Sequence, residues 1–443
     1  MPWRHILRPH NLLATAFIFL VMWLLSFIHI DHHKLDPYTY AIRDYDITDI
    51  VYSRLRKPEI VPESRIVLVN TGMPDRLQLY QMLERILAAK PKVIGIDIFL
   101  EDKKDPVIDS LLRQTFRHHP NIVLATQLEN PTALAFDRET GCDTSFSNYA
   151  QTGFADFPGN DTRTIRQLIP KKKSKEYTAY SFAAEISRLY DPRSLEDLEK
   201  RGHAAERIHF TTTIDNYLRF EPETILDTTV DLAEIMQDKI VLLGYLNEYG
   251  PDDPIVDRFF TPMNKRYSGR TIPDMYGVVV HANVIQMLLD RNYISNVPGW
   301  IIFTFTLLLI YANTFFFFWN YKYFWYFKHF PKILYRWAHI VQVLEIALLF
   351  FLTAWIFYAF QLTADFTVAT VALLLTFDLC IVYYHLRHNI PALDRIPTHF
   401  RSKRAHHPHP PPPVPPPPDG QANPEPPKPP SPEKRLKNKR KQP

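Results

Sequence analysis

Four ionisable residues in the first two thirds of the chain have the type and setting to meet a ligand. Asp97 closes an apolar run, Asp109 follows twelve residues later, Asp257 stands four residues before Thr261-Pro262, and His281 lies inside an apolar helical pattern. The carboxyl ends of parallel strands commonly face a ligand crevice, and carboxylates gathered there would suit a cationic or polyhydroxylated ligand. Plainer uses stand beside this one. An Asp just ahead of a helical pattern caps free backbone N–H groups, which fits both Asp97 and Asp109, and a His on an apolar helix face serves equally well as a core residue.

A second set lies in long apolar stretches, where polar groups are expensive and therefore functional candidates. Glu345 follows Trp337 by eight residues and Asp378 precedes Leu386 by eight. If the two segments run oppositely, both carboxyls fall at the same depth, ~12 Å from one surface, and Asn313 lies near that layer. One protonated carboxyl hydrogen-bonded to the other, with Asn313, would couple three helices; alternatively the three residues are packing glue without a signalling role.

The elements that must position these residues follow from charge and hydropathy. The net charge of +4 is sorted along the chain: residues 31–298 carry 33 basic and 40 acidic side chains, whereas residues 387–443 carry 12 basic and 4 acidic. Apolar runs at residues 12–30, 299–319, 337–360 and 366–386 predict four transmembrane helices, each close to the ~20 residues that cross a bilayer. Residues 12–30 lack a small-x-small cleavage site, so an uncleaved anchor is expected. Arg4 and Arg8 place residues 1–11 in the cytoplasm, which puts residues 31–298 outside. The basic loop 320–336 and the basic tail 387–443 then lie inside, as the positive-inside rule requires. Residues 401–443 hold 16 of the 38 prolines, and the tail reads as a disordered, polyproline-rich segment, a candidate docking site for a cytoplasmic protein.

Within residues 31–298, continuous β-branched runs at 66–69, 93–98, 122–125 and 240–243 alternate with helical patterns at 76–89, 106–117, 180–190 and 276–289. Continuous rather than alternating apolar strands are buried on both faces, and strands alternating with helices predict an α/β domain with a mainly parallel sheet. Chemistry is bounded by omission. Cys142 and Cys380 are too few for a disulfide framework or a thiolate zinc site, and the sequence contains no GxGxxG, GxxxxGK[ST], HExxH or GxSxG motif. Asp252, Asp253 and Asp257 lack the glycine and terminal Glu of a calcium loop. No metal, cofactor or catalytic residue is therefore expected.

The order of landmarks resembles the second type of CHASE domain, an extracellular sensory module of bacterial membrane receptors. Tyr45-Asp46 opens it, followed by Ile66-Val67-Leu68-Val69, Val93-Ile94-Gly95-Ile96-Asp97, Asp109, Gly153-Phe154 with Asp156, and Tyr180-Ser181-Phe182-Ala183. The end is most diagnostic: Asp238-Lys239-Ile240-Val241-Leu242-Leu243-Gly244, Asp257 with Thr261-Pro262, and Gly277-Val278-Val279-Val280-His281-Ala282-Asn283. The likeness covers residues 44–298. One turn departs from it, since Asn160-Asp161-Thr162-Arg163 lacks the family's glycine. The resemblance implies a receptor in the bacterial cytoplasmic membrane that binds an extracytoplasmic ligand. No output domain follows the last span, so a separate cytoplasmic partner is expected. A homodimer is expected too, because helix displacement is readily passed across a symmetric interface. The alternative is an envelope scaffold whose α/β domain assembles a complex and senses nothing.

Overall fold

The computed structural model describes residues 9–27, 46–57, 65–132, 135–158, 164–246, 257–265, 272–324 and 331–389. The glycine-poor turn at 160–163, Asp252, Asp253 and the proline-rich tail lie outside the described residues. The predicted apolar runs form the central strands of one sheet: β1 (Ile66–Asn70), β2 (Val93–Ile96), β3 (Ile122–Leu128), β4 (Glu139–Thr140), β5 (Gln151–Phe154), β6 (Leu218–Phe220) and β7 (Ile240–Gly244). The order is β6-β1-β7-β2-β3, with β5 parallel to β3 and only β4 antiparallel. All five residues of β1 and of β7 are buried, as expected of strands covered on both faces.

Alternate residues of each strand feed two cores. Val67, Val69, Ile94 and Leu243 pack with α2 (Arg76–Ala88) and α3 (Pro106–His118). Leu68, Val93, Val123 and Leu242 pack with α4 (Phe182–Tyr190) and α5 (Gly277–Asp290). Gly153 makes the second contact possible: a Cβ there would stand 2.6 Å from the backbone of Phe182, so only glycine lets α4 lie against the sheet.

The helical bundle contains α1 (Pro9–Leu25), α6 (Gly299–Phe324), α7 (Pro331–Phe360) and α8 (Thr367–Asn389). Three of these, over 299–320, 337–360 and 367–387, are long and apolar enough to cross a membrane; α1 spans 17 residues and falls short of that length. The predicted first span at 12–30 therefore corresponds to a shorter described helix that begins three residues earlier. It still belongs to the bundle, because Ala14 and Ile18 are buried with Ile310 of α6 and Phe377 of α8. Helices α6 and α7 also run past the predicted spans, which shortens the loop expected at 320–336.

Polar contacts tie the bundle. The Thr15 and Thr314 hydroxyls lie 3.0 Å apart, Arg387 donates to His10 Nδ1 at 2.8 Å, and Gln342 Nε2 donates to the Leu373 carbonyl at 2.6 Å.

Candidate functional site

Asp97 continues β2, its N–H donating to the Leu243 carbonyl at 2.8 Å, which leaves its half-buried carboxylate at the carboxyl edge of the sheet. Asp257 reaches the same edge by another route. The strand pair formed by Arg258–Phe259 and Met275–Tyr276 is antiparallel, and Asp257 adopts a positive φ of 48° to enter it. Its carbonyl accepts from Gly277 N at 3.0 Å. Its carboxylate covers the first residue of α5: a Cβ on Gly277 would stand 2.7 Å from Asp257 Oδ1.

Burial raises both carboxyls, because a charged form is penalised away from water. Asp257 rises to about 7. Asp97 is held well above the usual range by burial and by the charge of Asp257. Asp274 rises to about 6, again by burial, although Thr261 donates to it from N at 2.7 Å and from Oγ1 at 2.5 Å. Burial thus favours the protonated forms of all three carboxyls, and the charge of Asp257 adds to the effect at Asp97.

His281 stands one turn into α5 on the Gly277 face and is 2 % exposed. Its ring stacks on Phe157 with centroids 4.7 Å apart and meets Phe182 edge-on at 5.1 Å. Burial pushes it down to about 3, so it is a neutral ring packed in the core between Phe157 and Phe182.

Asp109 belongs elsewhere. Asp105 caps α3, accepting from Val107 N and Ile108 N. Asp109, 3 % exposed, pairs with Arg76 at 3.4 Å and accepts from Lys104 N at 2.9 Å. The expected ligand role is replaced by a buried ion pair that joins α2 to α3. Cys142 is half-buried against the α2–α3 core, and burial followed by the charge of Asp143 raises its thiol to about 12. Among the described residues, no group of three or more His, Cys, Asp or Glu side chains could hold a metal ion.

The membrane trio is partly assembled. Asn313 donates to Glu345 Oε1 at 3.2 Å, joining α6 to α7, and Glu345 Oε2 is buried without a partner. Asp378 lies on the exposed face of α8, and no hydrogen bond to Glu345 is present among the described residues. Gln342, one turn from Glu345, makes the α7–α8 link expected of Asp378.

Sequence reasoning missed the junction between the α/β domain and the bundle. The short helix Ile47–Ile50 carries a capping box between Asp46 and Asp49 and runs into a π-turn over Val51–Leu55, closed by Arg56 N donating to the Val51 carbonyl at 2.8 Å. Arg166 grips Asp49 with two donors, at 3.0 and 2.5 Å, and Arg207 holds Asp46 at 2.9 Å. The turn aims Tyr52 and Arg56 at Phe357 of α7, which is wholly buried in the α4–α5 core. Two further strands, β8 (Ser295–Asn296) and β9 (Leu362–Thr363), pair in parallel, strapping the segment before α6 to the turn between α7 and α8. Tyr45-Asp46 in the sequence was the available signal; the strap, two residues on each side, had none.

A parallel-sheet α/β domain is here joined, through the turn over residues 47–55 and the β8–β9 strap, to helices long and apolar enough to cross a membrane. A family model described as the CHASE2 domain matches residues 18–319. That is more than half of the chain, and the chain belongs to the CHASE2 family. Searches of curated proteins and of solved structures returned no match.

Proposed function

We propose that the chain is a receptor held in the cytoplasmic membrane of a bacterium by four spans, α1 being the first. The α/β domain faces outward, and both termini and the α6–α7 loop face the cytoplasm, as the sorted charge favours. A cationic or polyhydroxylated ligand binds at Asp97 and Asp257, and its binding is relayed through the helices to a separate protein docked on the tail or the spans.

The observation that carries this reading is the course of α5. It starts at Gly277 under the Asp257 carboxylate and spans ~21 Å at 1.5 Å per residue. The chain then passes Asn292, whose carbonyl contacts His209 Nδ1 at 3.2 Å, enters the strap at Ser295 and continues into α6 at Gly299. A displacement at the crevice thus has a rigid, continuous path to two membrane helices, the kind of packed two-position element through which coupling travels.

The test uses the full-length chain in lipid nanodiscs. Spermidine, as a cationic probe, and a panel of sugars are expected to raise its thermal midpoint, an effect lost in Asp97→Asn with Asp257→Asn. Crosslinking from the tail in cells, read by mass spectrometry, should capture a cytoplasmic protein. No ligand response together with stoichiometric capture of envelope proteins would favour the scaffold instead.

A further inference from the structure

A cavity of about 740 Å³ lies where the foot of the α/β domain meets the ends of α6, α7 and α8, within the ~300–1,000 Å³ typical of small-molecule sites. Its walls divide by chemistry. Asp46, Arg207 and Asp365 are at the polar part, while Leu349, Phe350 and Val371 form an apolar part contributed by two of the membrane helices. Leu349 precedes the end of α7 at Phe360 by eleven residues, so the apolar wall reaches roughly 16 Å along the helix from the level where a bilayer's headgroups meet its acyl chains.

The charges at the polar part narrow the occupant. Arg207 uses one Nη2 donor on Asp46 and one Nη1 donor on Thr48 Oγ1 at 3.0 Å, and a guanidinium has five N–H donors in all. Asp365 accepts from Thr367 N through Oδ1 at 2.9 Å, leaving Oδ2 open on an exposed side chain. One cation and two carboxylates, each with hydrogen-bonding capacity in hand, match a headgroup that carries a phosphate and an amine together. An anionic headgroup would meet a net negative rim.

We propose that this cavity holds a zwitterionic phospholipid with a primary amine, its phosphate on Arg207, its amine on Asp365 and an acyl chain along Leu349, Phe350 and Val371. A bound lipid would wedge the α7–α8 turn against the α/β domain. Membrane placement of the helices is all this shares with the receptor reading; loss of lipid binding would leave the acidic crevice and its probe response untouched.

Native mass spectrometry of the full-length chain, released from nanodiscs of mixed phosphatidylethanolamine and phosphatidylglycerol, tests it. Retention of phosphatidylethanolamine at least fivefold above phosphatidylglycerol is expected. Thr370→Trp, which fills the cavity wall, should abolish that retention, and Arg207→Gln should reduce it severalfold, whereas Leu344→Trp on an exposed face of α7 should not. Equal retention of both lipids, or retention unchanged by Thr370→Trp in a variant that still folds, would overturn the proposal. So would a photocrosslinker at Val371 that labels residues 28–45 of the same chain rather than lipid.

Discussion

Arg56 and Phe357, separated by 301 residues, meet twice: the guanidinium carbon lies 5.2 Å from the Phe357 ring centroid, and Nη2 donates to the Phe357 carbonyl at 3.3 Å. The same guanidinium donates from Nη1 to His209 Nε2 at 2.7 Å. Since His209 Nδ1 contacts the Asn292 carbonyl, Nδ1 carries the proton and Nε2 accepts. Burial and Arg56 push His209 down to about 4, so the chain of contacts from α7 to the end of α5 stays in one protonation state near neutral pH.

Phe357→Ala should therefore act on the α/β domain although it lies in a membrane helix. A loss of about 3–5 kcal/mol is expected for a fully buried Phe, read as the denaturation midpoint of the domain in the full-length chain. Phe360→Ala, 59 % exposed, should change it by less than about 0.5 kcal/mol. Similar effects from the two variants would separate the domain from α7.

Stability should depend on pH with two opposing limbs. The folded pKa of Asp257, about 7, is above the ordinary 3.8, so its contribution is complete below the ordinary value and is lost as pH rises through 7. His281 is opposite: its folded value of about 3 is below 6.5, so its contribution is complete above 6.5 and is lost as pH falls toward 3. Asp257→Asn should shrink the alkaline limb, to which the raised carboxyls Asp97 and Asp274 also contribute, and leave the acidic one. Thermal midpoints from pH 4 to 9 check this, and parallel profiles for the two proteins would contradict it.

The two outer carboxylates first read alike should diverge on substitution. Asp109→Ala leaves Arg76 buried without its ion-pair partner, and breaking a buried pair costs about 3–5 kcal/mol. Asp97→Asn replaces a carboxyl whose ionised form is disfavoured by burial and by Asp257, and should raise stability at pH 8. Urea denaturation of both variants distinguishes them, and equal losses would refute the division of roles.

In the bundle, Gln342→Leu removes the bond to the Leu373 carbonyl and should cost about 0.6 kcal/mol, at most ~1.7, as such bonds do in membranes. Asp378→Asn should be silent. Steric trapping or thermal unfolding in nanodiscs measures both; a larger effect from Asp378→Asn would restore it as the α7–α8 link.

The contrast between Gln342 and Asp378 shows where sequence reading stops. Counting residues along two helices gave the depth of Asp378, but depth leaves rotation about the axis free, and each residue turns ~100°. Gln342 was legible only through its spacing of three from Glu345, which puts them on one helix face. The strands at 66–70, 93–96, 122–128 and 240–244 were legible because burial on both faces leaves a continuous apolar run. Asp97 and Asp257 could be named from the chain, but their meeting depends on the positive φ of Asp257 and on the absence of a side chain at Gly277. Asp274 passed unnoticed because its bond to Thr261 spans a loop that no local pattern marks.

In the proposed receptor, protonation or ligation at Asp97 and Asp257 moves the start of α7 relative to the end of α8. Spin labels at Trp337→Cys on α7 and His385→Cys on α8, with Cys142 and Cys380 replaced by alanine, report that distance by double electron–electron resonance in the full-length chain. Between pH 5.5 and 8.5, which brackets Asp257, the distance distribution should shift, and Asp97→Asn with Asp257→Asn should abolish the shift. An unchanged distribution, or a shift that persists in the double variant, would contradict the relay.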